Sequence, residues 1–251
     1  DSFKNASGAE VRAQKEFDVP SILDEYGMPV PQSGTVVVTY TLDTSVLEDV
    51  TLVAYEEVHQ STVTGTIVAS HKVLSDANQT VVIPKLRTTL ADPVTNSHIA
   101  ANSTVRLIDT VEYTNLLPGK EYTVSGVLVN ADTGEHMKMN GSDITASETF
   151  TASSANGVVY LTFYLDTALL EGTTVVAFED LLYKNIKVAT HANINDEDQT
   201  VYFPKIRTTL IDTQTNEHLS AQNPTITLKD HVEYHNLKVG ETYTMKGSLV
   251  D

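Results

Sequence analysis

The chain repeats itself, and this repetition limits the fold more than any local motif does. "PKLRTTLADPVTNSH" from Pro84 recurs as "PKIRTTLIDTQTNEH" from Pro204, and "LIDTVEYTNLLPGKEYTVSGVLV" recurs as "LKDHVEYHNLKVGETYTMKGSLV". Thr88 and Thr208 stand 120 positions apart, and so do Gln79 and Gln199, which end two copies of H-x4-D-x2-Q-T-V. "VAYEE" at 53–57 is echoed by "VAFED" at 176–180. A unit of this length is large enough to own a hydrophobic core, so the chain reads as tandem domains rather than one large one.

The repeat sets the boundaries. Residues 84–203 form one complete unit, residues 1–83 match the C-terminal part of a unit, and residues 204–251 match the N-terminal part of a further one. Asp251 maps onto Ala131, and aligning "SGAEVRAQKEF" with "NGSDITASETF" maps Asp1 onto about Gly134. The two ends are therefore expected to be complementary halves of one repeat. The head carries an insertion around "PSILDEYGMPVPQ", which reads as a surface loop.

Within a unit, short runs rich in Val, Thr, Ile and Tyr alternate with turns such as "PGKE", "ADTGE" and "SANG". This texture predicts an all-β fold of tandem immunoglobulin-like β-sandwich domains, one intact and one split between the chain ends. The join "QTVYFPKIRTTL" has one Pro and no Gly or Ser, which predicts a short, stiff connection. A formal net charge of -17 excludes a phosphate-binding surface and hence a nucleic-acid partner. With no Cys, neither a disulfide nor a thiolate zinc site is available. No apolar run is long enough to insert in a membrane.

Strand alternation sorts the polar residues by face. Thr88 shares parity with Leu86 and Leu90, Asp109 with Leu107 and Val111, and Gln199 with Val201 and Phe203. Glu179 shares parity with Ala177 and Val175. One unit thus directs Thr88, Asp109, Glu179 and Gln199 inward, with His191 close by in sequence. Each unpaired buried polar group costs about 1–3 kcal/mol, so these residues should satisfy one another. Two readings fit: a polar network that fixes strand register, or a reactive set. A calcium site from His191, Asp196 and Asp198 is a weaker rival, because "NDED" reads as a solvated turn. A hydrolase is opposed by a nucleophile inside a sheet core and by the absence of a G-x-S-x-G elbow.

The "TT" of the first strand, the "VAFE" strand and the H-x4-D-x2-Q-T-V segment together resemble the Thr-Gln ester-bond domains, the VaFE-type repeats of Gram-positive surface adhesins. The resemblance implies that the Thr88 hydroxyl condenses with the Gln199 side-chain amide, releasing ammonia and leaving an intramolecular ester. Asp109, Glu179 and His191 would assist, His191 as proton acceptor and donor, and the two carboxyls by sharing one proton that polarises the amide carbonyl. Which carboxyl holds the proton stays open at this point. The same resemblance assigns Thr208 and Asp230 in the tail, and Glu56, His71 and Gln79 in the head, to a split second site. It implies a self-stapled stalk module of an extracellular, cell-wall-anchored protein, with no cofactor or resident metal and no enzymatic turnover. The partners expected are neighbouring repeats, including head-to-tail association through a Thr208 to Gln79 ester; no residue pattern names a host ligand. The other reading is an immunoglobulin-like ligand-binding adhesin module with a buried polar network and no cross-link.

Overall fold

The computed structural model describes residues 3–5, 7–60, 66–167 and 170–251. It is all-β apart from single 3-10 turns, and two compact units divide between Ile83 and Pro84.

The first unit holds strands β1 (Val50–Val53), β2 (Glu56–His59), β3 (Ile67–His71) and β4 (Thr80–Ile83). β1 pairs with β4 and β2 with β3, both antiparallel. Two-stranded ribbons have no facing sheet to pack against, and among the described residues of this unit only Ile83 is buried. The "PSILDEYGMPVPQ" insertion folds on itself as a tight turn. Asp24 Oδ1 accepts from the amides of Tyr26 at 2.9 Å and Met28 at 2.8 Å, and Gly27 supplies the φ of +75° that the reversal needs.

The second unit contains the sandwich. Its strands are β5 (Lys85–Ala91), β6 (Arg106–Thr114), β7 (Glu121–Asn130), β8 (Lys138–Met139), β9 (Ser142–Asp143), β10 (Thr145–Thr151), β11 (Gly157–Tyr164), β12 (Thr174–Tyr183), β13 (Ile186–His191) and β14 (Thr200–Tyr202). One sheet runs β11-β6-β5 and the other β10-β7-β12-β13, with β14 also paired to β12; β8 and β9 form a small ribbon. The inward residues of the two sheets interdigitate in one core that includes Leu86, Leu107, Val111, Val124, Leu128, Leu161, Phe163 and Leu181.

Two local features position the site. β13 and β14 share one edge of β12: Glu179 lies opposite His191, and Val176 lies opposite Thr200. Residues 192–199 leave the ladder between these pairings and close in a 3-10 turn, Glu197–Gln199. The second feature is Asp92, which is buried just after β5. Its Oδ1 accepts from Val94 N at 2.9 Å, and its Oδ2 accepts from Ala101 N at 2.8 Å and Thr104 Oγ1 at 2.7 Å. These bonds compensate its burial and tie down the loop between β5 and β6.

The tail contributes β15 (Lys205–Asp212) and β16 (Leu228–His235), paired antiparallel. "ETYTMKGSLV" at 241–250 forms no strand, although its counterpart builds β7. β7 is hydrogen-bonded on both sides, by β10 and β12, and the tail has no counterpart of either.

Candidate functional site

The first strand, the second strand, the VAFE strand and the 3-10 turn deliver their polar side chains to one place inside the sandwich. Relative exposure is 1% for Thr88, 0% for Asp109, 1% for Glu179 and 0% for Gln199, so the four are sealed from water. β5 and β6 set the first two: Thr88 lies opposite Val111 and Leu90 opposite Asp109, which puts both side chains on the inner face. Glu179 comes from the facing sheet, on β12.

Gln199 is aimed by its own loop. Asp196 caps the turn by accepting from Asp198 N at 2.9 Å through Oδ1, and Thr200 Oγ1 donates to Asp196 O at 2.6 Å. The second oxygen of Asp196 contacts His191 Nε2 at 2.8 Å. One aspartate thus holds both the imidazole and the turn that presents Gln199. The His191 side chain is 21% exposed and marks the solvent side of the cluster.

The hydrogen bonds run as a chain. Thr88 Oγ1 donates to Glu179 Oε2 at 3.1 Å, and Gln199 Nε2 donates to Asp109 Oδ1 at 3.3 Å. The carboxyls of Asp109 and Glu179 bond to each other. As two anions they would leave Asp109 Oδ2 and Glu179 Oε1 buried with no donor, and one shared proton removes that conflict. Burial pushes the Asp109 carboxyl up. Burial and then the charge of Asp109 beside it push Glu179 up, to about 10. With both raised, the pair holds one proton between its two carboxyls at neutral pH.

Two details differ from the sequence expectation. The hydroxyl of Thr88 rests on Glu179, whereas His191 Nε2 is turned to Asp196. The Gln199 amide presents its NH2 to Asp109, and its Oε1 is buried without a partner, so no carboxyl reaches that carbonyl oxygen. Glu179, paired with His191 in the β12–β13 ladder, is the group that the hydroxyl meets. Among the described residues no group of three or more His, Asp or Glu converges as a metal ligand set.

A family model described as "T-Q ester bond containing domain" matches residues 2–83, 84–203 and 204–251. The chain belongs to the T-Q ester bond containing domain family. Among solved structures it is similar to a bacterial adhesin from Mobiluncus mulieris containing intramolecular disulfide, isopeptide and ester bond cross-links. That adhesin is matched in two crystal forms, each at 11% identity and a TM-score of 0.40, covering 60% of this chain and 76% of the other. No curated protein matches the chain.

The half-sets in the flanking T-Q segments keep the strand pairings and the His–Asp contact of the complete one, but the head's Gln bonds its glutamate where Gln199 bonds Asp109. In the head, Glu56 lies opposite His71, His71 Nε2 contacts Asp76 Oδ2 at 2.9 Å, and Gln79 Nε2 donates to Glu56 Oε2. In the tail, Thr208 lies opposite Val232 and Leu210 opposite Asp230. Thr208 and Asp230 are exposed there.

Gly126 was not among the residues singled out from the sequence. It lies on β7 opposite Glu179, and a Cβ there would meet Phe163 Cζ at 2.7 Å and Leu161 Cδ1 at 2.8 Å. The ring and the leucine thereby close over the inner face beside Glu179. A glycine inside an alternating strand, as in "TVSGVLV", was the available signal. Asp92 was missed as well. Its clue was an aspartate at the corresponding place in both "TTLAD" and "TTLID".

Proposed function

We propose that residues 84–203 are a load-bearing module of a surface adhesin stalk that staples itself with an ester between Thr88 Oγ and Gln199 Cδ. The observation that carries this reading is the hydrogen-bond chain from nucleophile to leaving group, sealed in the core: Thr88, Glu179, Asp109, Gln199. Thr88 gives its proton to Glu179 Oε2 as its oxygen attacks the amide carbon. The carboxyl pair relays a proton to Asp109, and Asp109, once protonated, turns that proton to Gln199 Nε2. The C–N bond breaks, ammonia leaves, and the carboxyl pair again holds the single proton with which it began. The hydroxyl proton has moved to ammonia, so the reaction needs no co-reactant and occurs once per site. His191, held by Asp196, polarises the carboxyl pair from the solvent side.

Proximity in a folded core replaces a bimolecular encounter, and exclusion of water protects the product from hydrolysis. The bond closes a loop of 111 residues between the first strand and the last turn. In the chain-entropy description such a loop stabilises by about 4–5 kcal/mol. Tension entering near β5 would leave near β14 through the ester, leaving the strands between unloaded. In a chain with no Cys this fills the place of a disulfide. The setting that suits it is extracellular and cell-wall-anchored.

The flanking half-sets extend the reading. Thr208 and Asp230 on one side and Glu56, His71 and Gln79 on the other make a second complete set, so head-to-tail association of copies yields a Thr208 to Gln79 ester. Gln79 Oε1, buried with no partner, is the observation in favour.

Intact mass under denaturing conditions tests both. The unaltered chain should be lighter than its sequence by one ammonia, about 17 Da as condensation of a nucleophile with an amide requires. Thr88→Ala and Gln199→Ala should each restore the full mass. A full-mass unaltered chain refutes the staple. Covalent multimers that lose one further ammonia per joint support the head-to-tail bond, and their absence at high concentration refutes it.

A further inference from the structure

One side chain makes three hydrogen bonds from the tail to the sandwich, and the T-Q site has no use for it. Asn236 follows β16 at a φ of 57°, in the left-handed region that Asn tolerates. Its Oδ1 accepts from Thr174 Oγ1 at 2.8 Å. Its Nδ2 donates to Phe203 O at 3.3 Å and also to Thr173 O. All capacity of the amide except one lone pair is thus spent on the preceding repeat, at the start of β12 and at the last core residue before Pro204.

The segment it grips is itself closed. Gly172 N donates to Phe203 O at 2.8 Å, and Phe203 N donates to Thr173 O at 2.9 Å, so the turn before β12 and the exit of β14 are already bonded together. Gly172, at a φ of +82°, turns the chain there, and a Cβ on it would lie 3.6 Å from Lys205 Cδ. Lys205, the first residue of β15, reaches across to Glu171, with Nζ 3.6 Å from Oε2. Asn236 and Lys205 therefore hold the tail at two points at the same end of the β15–β16 ribbon, one on each strand's side.

We propose that Asn236, with Thr174, Thr173 and Phe203, forms an inter-repeat clamp whose partner surface is the Glu171–Thr174 turn of the preceding unit, fixing the direction in which the next repeat leaves. The two-residue connection Phe203–Pro204 between β14 and β15 would otherwise swing about the backbone dihedrals of Phe203 and Lys205, since Pro204 fixes only its own φ. Three hydrogen bonds from one rigid planar amide define an orientation, whereas the exposed ion pair alone would contribute little. The clamp acts where tension leaves β14, so it steers load into the first strand of the next unit. It does not depend on ester formation.

The absence of Cys makes the test direct, because two introduced cysteines are the only labelling sites. Spin labels at Tyr160→Cys on β11 and Glu233→Cys on β16, both exposed, report the distance between sandwich and tail in the full chain. The clamp predicts one narrow distance distribution. Asn236→Gly keeps the left-handed backbone and removes the amide, and Thr174→Val removes one hydroxyl at nearly constant shape. Either change should broaden the distribution about twofold or more, as a linker freed to sample its own dihedrals does. A broad distribution in the unaltered chain overturns the clamp, as does an unchanged one in both variants. Ammonia loss, read by mass in the same samples, reports the staple separately.

Discussion

At the scale of single residues, the division of labour around Thr88 can be tested by which side chains the staple tolerates losing. The carboxyl pair contacts both reacting groups, whereas His191 contacts Asp196. Asp109→Asn should abolish ammonia loss, because an amide cannot return a proton to the leaving nitrogen. His191→Ala should slow the loss by about 10- to 100-fold yet let it reach completion, since a positioned base would be worth about 100- to 10,000-fold. A time course by intact mass checks this, and a His191→Ala chain that stays at full mass for days would make the imidazole the base. Strand parity turned Thr88, Asp109 and Glu179 inward, because a period of 2 sorts a strand's side chains by face. Gln199 is buried too, but it comes from the 3-10 turn Glu197–Gln199 and not from a strand. What parity could not give was the partner of each atom. That depends on the facing sheet, which brings Glu179 to the hydroxyl.

The raised carboxyls also fix the sign of a pH effect. A carboxyl whose folded pKa lies above its unfolded one contributes stability that is full below the unfolded pKa and is lost as pH rises toward the folded one. Burial raises both Asp109 and Glu179, the latter to about 10. In Thr88→Val, which cannot staple, thermal stability should therefore fall as pH rises from about 5 to about 9. Adding Glu179→Gln should flatten that slope. The difference between the two profiles isolates the pair from the general repulsion of a chain with net charge -17. Parallel profiles would mean that the pair is not protonated in the fold.

At the scale of elements, β7 shows how a strand can be shaped by what it lacks. Gly126 lets Phe163 and Leu161 approach the backbone, and a methyl there would need them to move by several tenths of an ångström in a close-packed interior. Gly126→Ala should destabilise the sandwich by about 1–3 kcal/mol, the usual range for overpacking. Denaturant unfolding in the Thr88→Val background would measure it free of the cross-link, and a change under 0.5 kcal/mol would mean that the core yields easily there. The same strand marks the limit of local reading. "EYTVSGVLV" and "ETYTMKGSLV" are alike as sequences, yet only the first is a strand, because β10 and β12 flank it. Strand propensity describes a fit to neighbours, and in the tail the neighbours are missing. The repeat and the two-sheet class were legible for the opposite reason: they rest on patterns that every copy carries.

At the scale of the whole molecule, burial is concentrated in residues 84–203. Outside them the described residues bury only Ile83 and Asp212. Exposed backbone with few buried contacts opens readily, and a protease cuts where the chain opens. Native digestion should therefore strip the head first, above all residues 11–49, where no strand is assigned. A resistant fragment beginning near Pro84 and reaching at least Phe203 should remain. The staple adds a second, separable signature. A cut made inside the sandwich of the unaltered chain leaves its two pieces joined through Thr88 and Gln199, so they migrate together in denaturant without any reductant. The corresponding pieces of Gln199→Ala separate. Stripping without joined pieces would leave a stable sandwich held by a polar network alone, and rapid loss of residues 84–203 would show that the core buries too little to stand unaided. If copies do join head to tail, the joined head becomes part of a sandwich, and residues 66–83 should then resist the same protease in multimers but not in monomers.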